Sequence, residues 1–328
     1  MHPFILSKAT GTQAALSKLA ATKNAKPIGG GTNLVDLMKM YVETPDELID
    51  IKGLPFKQIE MMPGGGVRIG ALVSNTDAAY HPAINKSYPV LSQALLSGAS
   101  AQLRNMATVG GNLLQRTRCP YFFNVSFPCN KRVPGSGCSA IKGYNRSHAV
   151  LGTSDSCIAT HPSDMCVALI ALDAVIHIQG AAGERTVPVR DFHLLPGDTP
   201  QIETVLKGGE LITAVELPSL PAASTSYYLK VRDRASYEFA LTSAAVVMDV
   251  SNGAIRSARI AMGGVGTKPW RATKAEAVLN GAKNNTQTYK AAANAVMAEA
   301  KGYPYNSFKI ELAKRTLIRA LTTVGGAS

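Results

Sequence analysis

The sequence is poor in charged and aromatic residues. Only 17% of its 328 residues are Asp, Glu, Lys or Arg, whereas about a quarter is usual in soluble domains. Aromatic residues make up 6%, with a single Trp, and hydrophobic residues 46%. This composition excludes a disordered chain and a coiled coil. Five cysteines are too few for a disulfide scaffold in a chain of this length. The low charge suggests that a partner covers part of the surface.

Long apolar runs are also missing. The most apolar stretch, residues 167–178, is short and is interrupted by Asp173 and His177, so we expect no membrane insertion. Residues 1–8 have neither a basic leader nor a long apolar region, and we expect no signal peptide on this chain.

Positive charge is in excess but diffuse. The chain carries 34 Lys+Arg against 22 Asp+Glu, a net charge of +12. The basic residues form no run of five or six and are not interleaved with aromatics. We therefore expect no nucleic-acid partner. The surplus would instead favour docking with an acidic protein partner.

The order of the predicted elements indicates an α+β chain in two domains. The first half alternates helical and strand patterns, beginning with a helix over residues 12–23 that Thr12 could cap. A linker rich in Pro and Ser follows at residues 218–224. Three strand-like runs and then three helices come after it, as in a small α+β domain.

These patterns place the domain boundary within the Pro-rich linker. We assign residues 1–223 to the first domain, with subdomains at about 1–55 and 56–223. Residues 224–328 form the second domain.

Two glycine loops are candidates for a phosphate site. The first runs from Gly29 to Asn33 between a predicted strand and a helix, and the second runs from Ala107 to Asn112. Consecutive glycines let backbone N–H groups point at a ligand, which suits a pyrophosphate. Neither loop is a G-x-G-x-x-G fingerprint or a Walker loop. Each alone is as consistent with a tight turn, but together they favour a diphosphate ligand.

Four cysteines accompany an irregular segment at residues 115–156, where periodicity is lost. They are Cys119, Cys129, Cys138 and Cys157, spaced C-x9-C-x8-C-x18-C. Zinc and iron–sulfur clusters both accept four thiolates, and a metal would order a segment that cannot bury a core. The spacing matches neither zinc ribbons nor ferredoxins, so free thiols remain an equal alternative. The fifth, Cys166, is interpreted as a small buried hydrophobic residue.

Two further patterns have both a structural and a functional interpretation. Ser163 and Asp164 stand at the start of a predicted helix, where either could act as an N-cap. Tyr228, Lys230 and Arg232 alternate along a predicted strand and share one face. That face could be exposed to solvent or could contact a ligand.

Taken together, these motifs resemble one family over essentially the whole chain. They are similar, in order, to the FAD-binding subunits of molybdenum hydroxylases, the xanthine dehydrogenase and carbon monoxide dehydrogenase group. The motifs are Gly29-Gly30-Gly31-Thr32-Asn33-Leu34, Ile69-Gly70-Ala71-Leu72, Ala107-Thr108-Val109-Gly110-Gly111-Asn112, Ser163-Asp164 and Tyr228-Leu229-Lys230-Val231-Arg232.

The resemblance implies a fold and a cofactor. The fold would be the FAD-binding fold of the vanillyl-alcohol-oxidase (PCMH) type, with two α/β subdomains. A C-terminal domain like that of CO dehydrogenase flavoproteins would follow, with a three-stranded sheet and helices. By matching positions, FAD would contact Lys26, Pro27, Ile28, Gly29, Gly30, Gly31, Thr32, Asn33, Leu34, Thr108, Gly110, Gly111, Asn112, Asp164 and Lys230.

Residues 116–156 depart from the common family pattern, which passes directly from the second glycine loop to the segment before Asp164. A minority of the family carries an additional [4Fe–4S] cluster in the flavin subunit. The sequence resembles the iron–sulfur flavoprotein subunits of bacterial periplasmic aldehyde oxidoreductases. The resemblance therefore implies that the cluster ligands are Cys119, Cys129, Cys138 and Cys157.

The implied function is electron transfer within an aldehyde-oxidising complex. Its partners would be a molybdenum-cofactor large subunit and a [2Fe–2S] small subunit in a heterotrimer, with FAD delivering electrons to an external acceptor. No catalytic acid, base or nucleophile is expected on this chain. A periplasmic location would require export with a signal-bearing partner. The alternative is a nucleotide-binding regulatory or structural module with a Cys₄ zinc site.

Overall fold

A computed structural model describes residues 1–326 as three sheets with helices packed around them. The strands are β1 (Ile5–Lys8), β2 (Ala25–Ile28), β3 (Glu47–Asp50), β4 (Ile59–Met61), β5 (Val67–Gly70), β6 (Val175–Gly180), β7 (Gly183–Pro188), β8 (Leu211–Leu217), β9 (Ser224–Val231), β10 (Thr242–Ser251), β11 (Ala254–Gly263) and β12 (Trp270–Arg271).

Most of the helices are short, and the longest lies at the C-terminal end of the chain. They are α1 (Thr12–Ala21), α2 (Leu34–Lys39), α3 (Asn75–Tyr80), α4 (Pro82–Ser87), α5 (Pro89–Ser97), α6 (Ala101–Met106), α7 (Val109–Leu113), α8 (Pro120–Phe123), α9 (Ser139–Lys142), α10 (Asp164–Ala171), α11 (Val189–Phe192), α12 (Thr273–Leu279), α13 (Thr286–Met297) and α14 (Phe308–Gly325). Within residues 1–326, none of them combines the length and apolarity needed to cross a bilayer.

The first sheet is parallel, with strand order β1-β3-β2. α1 packs against it because Ala15, Leu16 and Leu19 recur at helical spacing and are buried with Ile49 of β3. Contrary to the sequence prediction, Thr12 does not cap this helix. Gly11 is the N-cap, and no side chain donates or accepts a capping bond there.

The second sheet is antiparallel, with order β4-β5-β8-β6-β7. α10 packs against α5 and the C-terminal sheet and shares a hydrophobic core with the second sheet, and all eight of its residues are buried. A helix that is apolar on every side needs such cover, and its sequence, DMCVALIA, has polar side chains only near its start. The start of α10 is therefore fixed deep inside the molecule.

The third sheet has four antiparallel strands, in the order β12-β11-β10-β9. The expected number was three, since the two-residue β12 is too short to leave a sequence pattern. Side chains of β10 alternate between two layers: Val246 packs with the three C-terminal helices, whereas Val247 packs with the core of the first domain. One sheet thus joins both halves of the chain.

Residues 115–156 are ordered by local packing and by charge pairs, with only α8 and α9 as regular structure. Phe122 and Ala140 form a small core with the cysteines. Arg116 pairs with Glu43 and Glu203, and Lys131 Nζ lies 2.8 Å from Glu203 Oε1. These ion pairs connect the segment to two loops. Glu43 lies in the loop between α2 and β3, and Glu203 lies in the loop before β8.

Candidate functional site

The first glycine loop presents free backbone donors. It connects β2 to α2, and Gly31 adopts a positive φ of 71°. Among the backbone hydrogen bonds within residues 1–326, none is donated by the N–H groups of residues 29–33. Five consecutive N–H groups without a backbone acceptor are available to bind phosphate oxygens.

The second glycine loop is braced by its own hydrogen bonds. Gly110 N donates to the Ala71 carbonyl at 2.8 Å, and Val109 N donates to the Val73 carbonyl at 3.0 Å. Thr108 caps α7, because its Oγ1 accepts from Gly111 N at 3.2 Å. Because these backbone N–H groups are already paired, the second loop can contact a ligand mainly through its side chains, unlike the first loop.

The two glycine loops touch one another. A Cβ on Gly30 would lie 1.8 Å from the Met106 carbonyl oxygen, and one on Gly29 would lie 3.3 Å from Thr108 Oγ1. Only glycine allows this approach at position 30. Beside the loops, Asn33 Nδ2 is buried without a hydrogen-bond partner among residues 1–326. Free donors and an unpaired amide fit the diphosphate of FAD.

Ser163 is the N-cap of α10, as one of the two sequence interpretations proposed. Its Oγ accepts from Cys166 N at 3.0 Å and donates to Asn112 Oδ1 at 2.7 Å. The cap thereby connects the second glycine loop to the buried helix. The neighbouring carboxylate, Asp164, is left available for other partners.

Asp164 pairs with Lys230. The distance from Lys230 Nζ to Asp164 Oδ2 is 2.8 Å, and the exposed fractions of the two side chains are 4% and 9%. Tyr228 OH donates to the other carboxylate oxygen at 2.5 Å, and burial beside Asp164 raises the pKa of Tyr228 well above its usual value. The strand face that carries Tyr228 and Lys230 is therefore buried, so its interpretation as solvent-exposed is wrong. Contact of Asp164 and Lys230 with FAD remains a prediction.

A cavity lies between the first domain and the C-terminal sheet. Its volume is about 170 Å³. Its walls include Asp164 and Ser163 at the start of α10, Ser243 of β10, and Cys119 and His148 from the Cys-bearing segment. We call this space the interdomain cavity.

The four predicted ligand cysteines line one smaller cavity. We call it the cysteine cavity; its walls include Cys119, Cys129, Cys138 and Cys157. Cys129 and Cys138 face each other in an isolated antiparallel bridge. Burial raises the pKa of Cys119 to about 12 and that of Cys157 to about 11, so these thiols become thiolates only beside a strong positive charge. Three of these cysteines are buried, Cys138 is half-buried, and all four line the same cavity.

The distances between the cysteine sulfurs can be compared with those around a single zinc ion. In residues 1–326, only His161, Cys166 and His193 place three ligand atoms within 4.8 Å of one another, so no three of the four cysteine sulfurs are that close. Four sulfurs around one zinc ion, each at about 2.3 Å, would stand about 3.8 Å apart. The four sulfurs therefore do not match a tetrahedral zinc site, and binding of a cluster by them remains a prediction.

The sequence analysis did not predict the grouping of His161, Cys166 and His193. His161 and Cys166 lie beside a capping motif, and His193 is far from both in sequence. His193 Nε2 donates to the Leu113 carbonyl at 2.9 Å, and His161 Nδ1 accepts from Ser163 N at 3.3 Å. His161 therefore carries its proton on Nε2. Burial lowers the pKa of His193 to about 4 and that of His161 well below its usual value, so both rings are neutral. The hydrogen-bond pattern is that of a structural histidine pair.

Two family models divide the chain between them. The FAD binding domain in molybdopterin dehydrogenase matches residues 3–220, and the CO dehydrogenase flavoprotein C-terminal domain matches residues 227–324. The aldehyde oxidoreductase FAD-binding subunit PaoB of Escherichia coli (strain K12) is 52% identical over 313 residues, covering 95% of each chain. The glyceraldehyde dehydrogenase medium chain of Sulfolobus acidocaldarius is 29% identical and covers 91% of this chain and 89% of that one.

The fold also matches a solved structure of carbon monoxide dehydrogenase from Oligotropha carboxidovorans, with a TM-score of 0.79, 22% identity and 99% coverage of both chains. The FAD-binding family model over residues 3–220 defines the class of the protein as a flavoprotein. The chain belongs to the family of FAD-binding subunits of molybdenum hydroxylases. The family and the fold class predicted from the ordered motifs are thereby confirmed.

Proposed function

We propose that this chain is the FAD- and [4Fe–4S]-containing electron-transfer subunit of a molybdenum-dependent aldehyde oxidoreductase. Its partners are a molybdenum-cofactor large subunit and a [2Fe–2S] small subunit. Electrons enter from these partners, reach FAD and leave to an external acceptor. Similarity to a protein named as an aldehyde oxidoreductase FAD-binding subunit, at 52% identity, supports the complex and the aldehyde substrate.

The observation that carries the proposal is the adjacency of the two cavities. Cys119 is in the walls of both the cysteine cavity and the interdomain cavity, and Asp164 is in the wall of the latter. A cluster bound by the cysteines would therefore stand next to a flavin held near Asp164. FAD and an iron–sulfur cluster supply one-electron chemistry when bound.

The chain's own residues act by binding and positioning. The free N–H groups of residues 29–33 hold the FAD diphosphate, and Asp164 with Lys230 forms a polar wall near the ring system. Cys119, Cys129, Cys138 and Cys157 bind the cluster irons. The competing possibility, a Cys₄ zinc site, is less well supported by sulfurs that do not approach to within zinc-site distances.

The function is tested on the purified complex under anaerobic conditions. An aldehyde is expected to bleach the flavin absorbance and to produce the electron paramagnetic resonance (EPR) signal of a reduced [4Fe–4S] cluster. Complex from molybdate-starved cells is the control, and it should show neither change. Flavin that stays oxidised in the molybdenum-loaded complex would contradict the electron route. Zinc in place of the extra iron would contradict the cluster.

We also propose a periplasmic location through export with a signal-bearing partner, on the basis of the family resemblance alone. Cell fractionation tests it, because the complex should be released with the periplasmic fraction.

A further inference from the structure

His148 contacts one of the four proposed cluster ligands directly. The ring is 2% exposed, and its Nε2 lies 3.1 Å from Cys119 Sγ. The other ring nitrogen, Nδ1, is buried without a partner among residues 1–326. A cysteine thiolate bound to a metal has no proton to donate, so Nε2 can contact it favourably only as an N–H donor. The proton therefore belongs on Nε2, where it points at the sulfur.

The C-terminal domain fixes this histidine in place. Lys309, which is fully buried, donates from Nζ to the His148 carbonyl at 2.8 Å, and Asn306 Nδ2 donates to the same oxygen at 3.2 Å. Tyr121 packs beside the imidazole with ring centroids 6.3 Å apart. The C-terminal domain and the Cys-bearing segment thus hold the imidazole against Cys119 together.

Cys119 is the ligand for which such a contact would matter most. It alone of the four cysteines lines both the cysteine cavity and the interdomain cavity, and His148 also lines the latter. A hydrogen bond to another of these sulfurs, from Ala159 N to Cys157 Sγ, is longer at 3.5 Å.

We propose that His148 is a positioning residue that donates its Nε2–H to the Cys119 thiolate and raises the reduction potential of the cluster on its flavin-facing side. The inference rests on the proposed function, because it requires the cluster. A hydrogen bond to a ligand sulfur stabilises the additional negative charge of the reduced cluster more than it stabilises the oxidised form.

The test is an EPR-monitored redox titration of the purified complex. His148→Leu removes the donor and is expected to shift the cluster midpoint to a more negative potential. His148→Gln keeps an N–H near the position of Nε2 and should recover part of the shift. Tyr121→Phe is the matched control: Tyr121 lines the cysteine cavity, but its hydroxyl bonds to Tyr144 N and not to sulfur. Its midpoint should equal that of the wild type.

The outcomes separate the inference from the function on which it rests. A wild-type complex without a [4Fe–4S] signal overturns both. A cluster whose midpoint is the same in wild type and His148→Leu overturns the inference alone. If His148→Leu fails to assemble, pulsed EPR on wild type with ¹⁵N-labelled histidine decides: the cluster signal should show coupling to a histidine nitrogen, and the absence of coupling overturns the inference.

Discussion

Lys230 of β9 donates to Asp164 at the first residue of α10, with 2.8 Å between Nζ and Oδ2. The pair joins the first domain to the C-terminal sheet at the wall of the interdomain cavity. Lys230 also donates to the Ser97 carbonyl at 3.0 Å. A buried pair with further hydrogen bonds is costly to break, because removal of one partner leaves an unpaired charge in the interior.

Lys230→Met is therefore expected to destabilise the protein by about 3–5 kcal/mol and to lower its FAD content. Urea unfolding and the ratio of FAD to protein are the measurements. The double variant Lys230→Met/Asp164→Asn removes the unpaired negative charge of Asp164 and should regain part of the stability.

A surface pair provides the control for this prediction. Arg315 and Glu311 lie on α14 with side chains 76% and 61% exposed. Arg315→Ala should change the free energy of unfolding by less than about 1 kcal/mol and should leave the FAD content unchanged. Equal effects of the two variants would show that the Asp164–Lys230 pair has no special role.

Gly30→Ala is expected to abolish FAD retention. The new Cβ would overlap the Met106 carbonyl oxygen and push the two glycine loops apart. Gly64→Ala is the matched control, since nothing lies within 4 Å of a Cβ at that position. Flavin absorbance after gel filtration measures both, and normal flavin in Gly30→Ala would contradict the assignment of the loop.

Stability is expected to fall as the pH is lowered from about 6.5 to about 4. Burial lowers the pKa of His193 to about 4 in the folded protein, so the unfolded chain binds its proton at the higher pH. This residue would contribute up to about 3 kcal/mol of the loss.

His193→Gln keeps a donor for the Leu113 carbonyl and removes the titration, so its stability should decline less steeply over this pH range. His2, whose side chain is 51% exposed, provides the control variant His2→Gln, which should follow the wild type. Urea unfolding at several pH values measures all three. A His193→Gln slope identical to that of the wild type would contradict the prediction.

The sequence predicted the family because its motifs occur in a fixed order, and it located the long helices and most strands because their periodicities are clear. It did not reveal β12, because a strand of two residues is too short to show alternation. It also placed the N-cap of α1 at Thr12, whereas the backbone leaves the helical conformation at Gly11 and no side chain caps the helix. The pairing of Asp164 with Lys230 and the contact of His148 with Cys119 join residues that are distant in sequence. Tertiary packing alone brings such residues together.

We propose that four cysteines of this chain hold a [4Fe–4S] cluster beside the flavin. Iron and acid-labile sulfide in the purified complex, compared between Cys129→Ala and Cys166→Ala, test it most directly. Cys166 is fully buried in α10, away from the cysteine cavity, and serves as the matched control. The account predicts that Cys129→Ala loses about four irons and four sulfides per complex, whereas Cys166→Ala keeps them. Equal iron in wild type and both variants would contradict it.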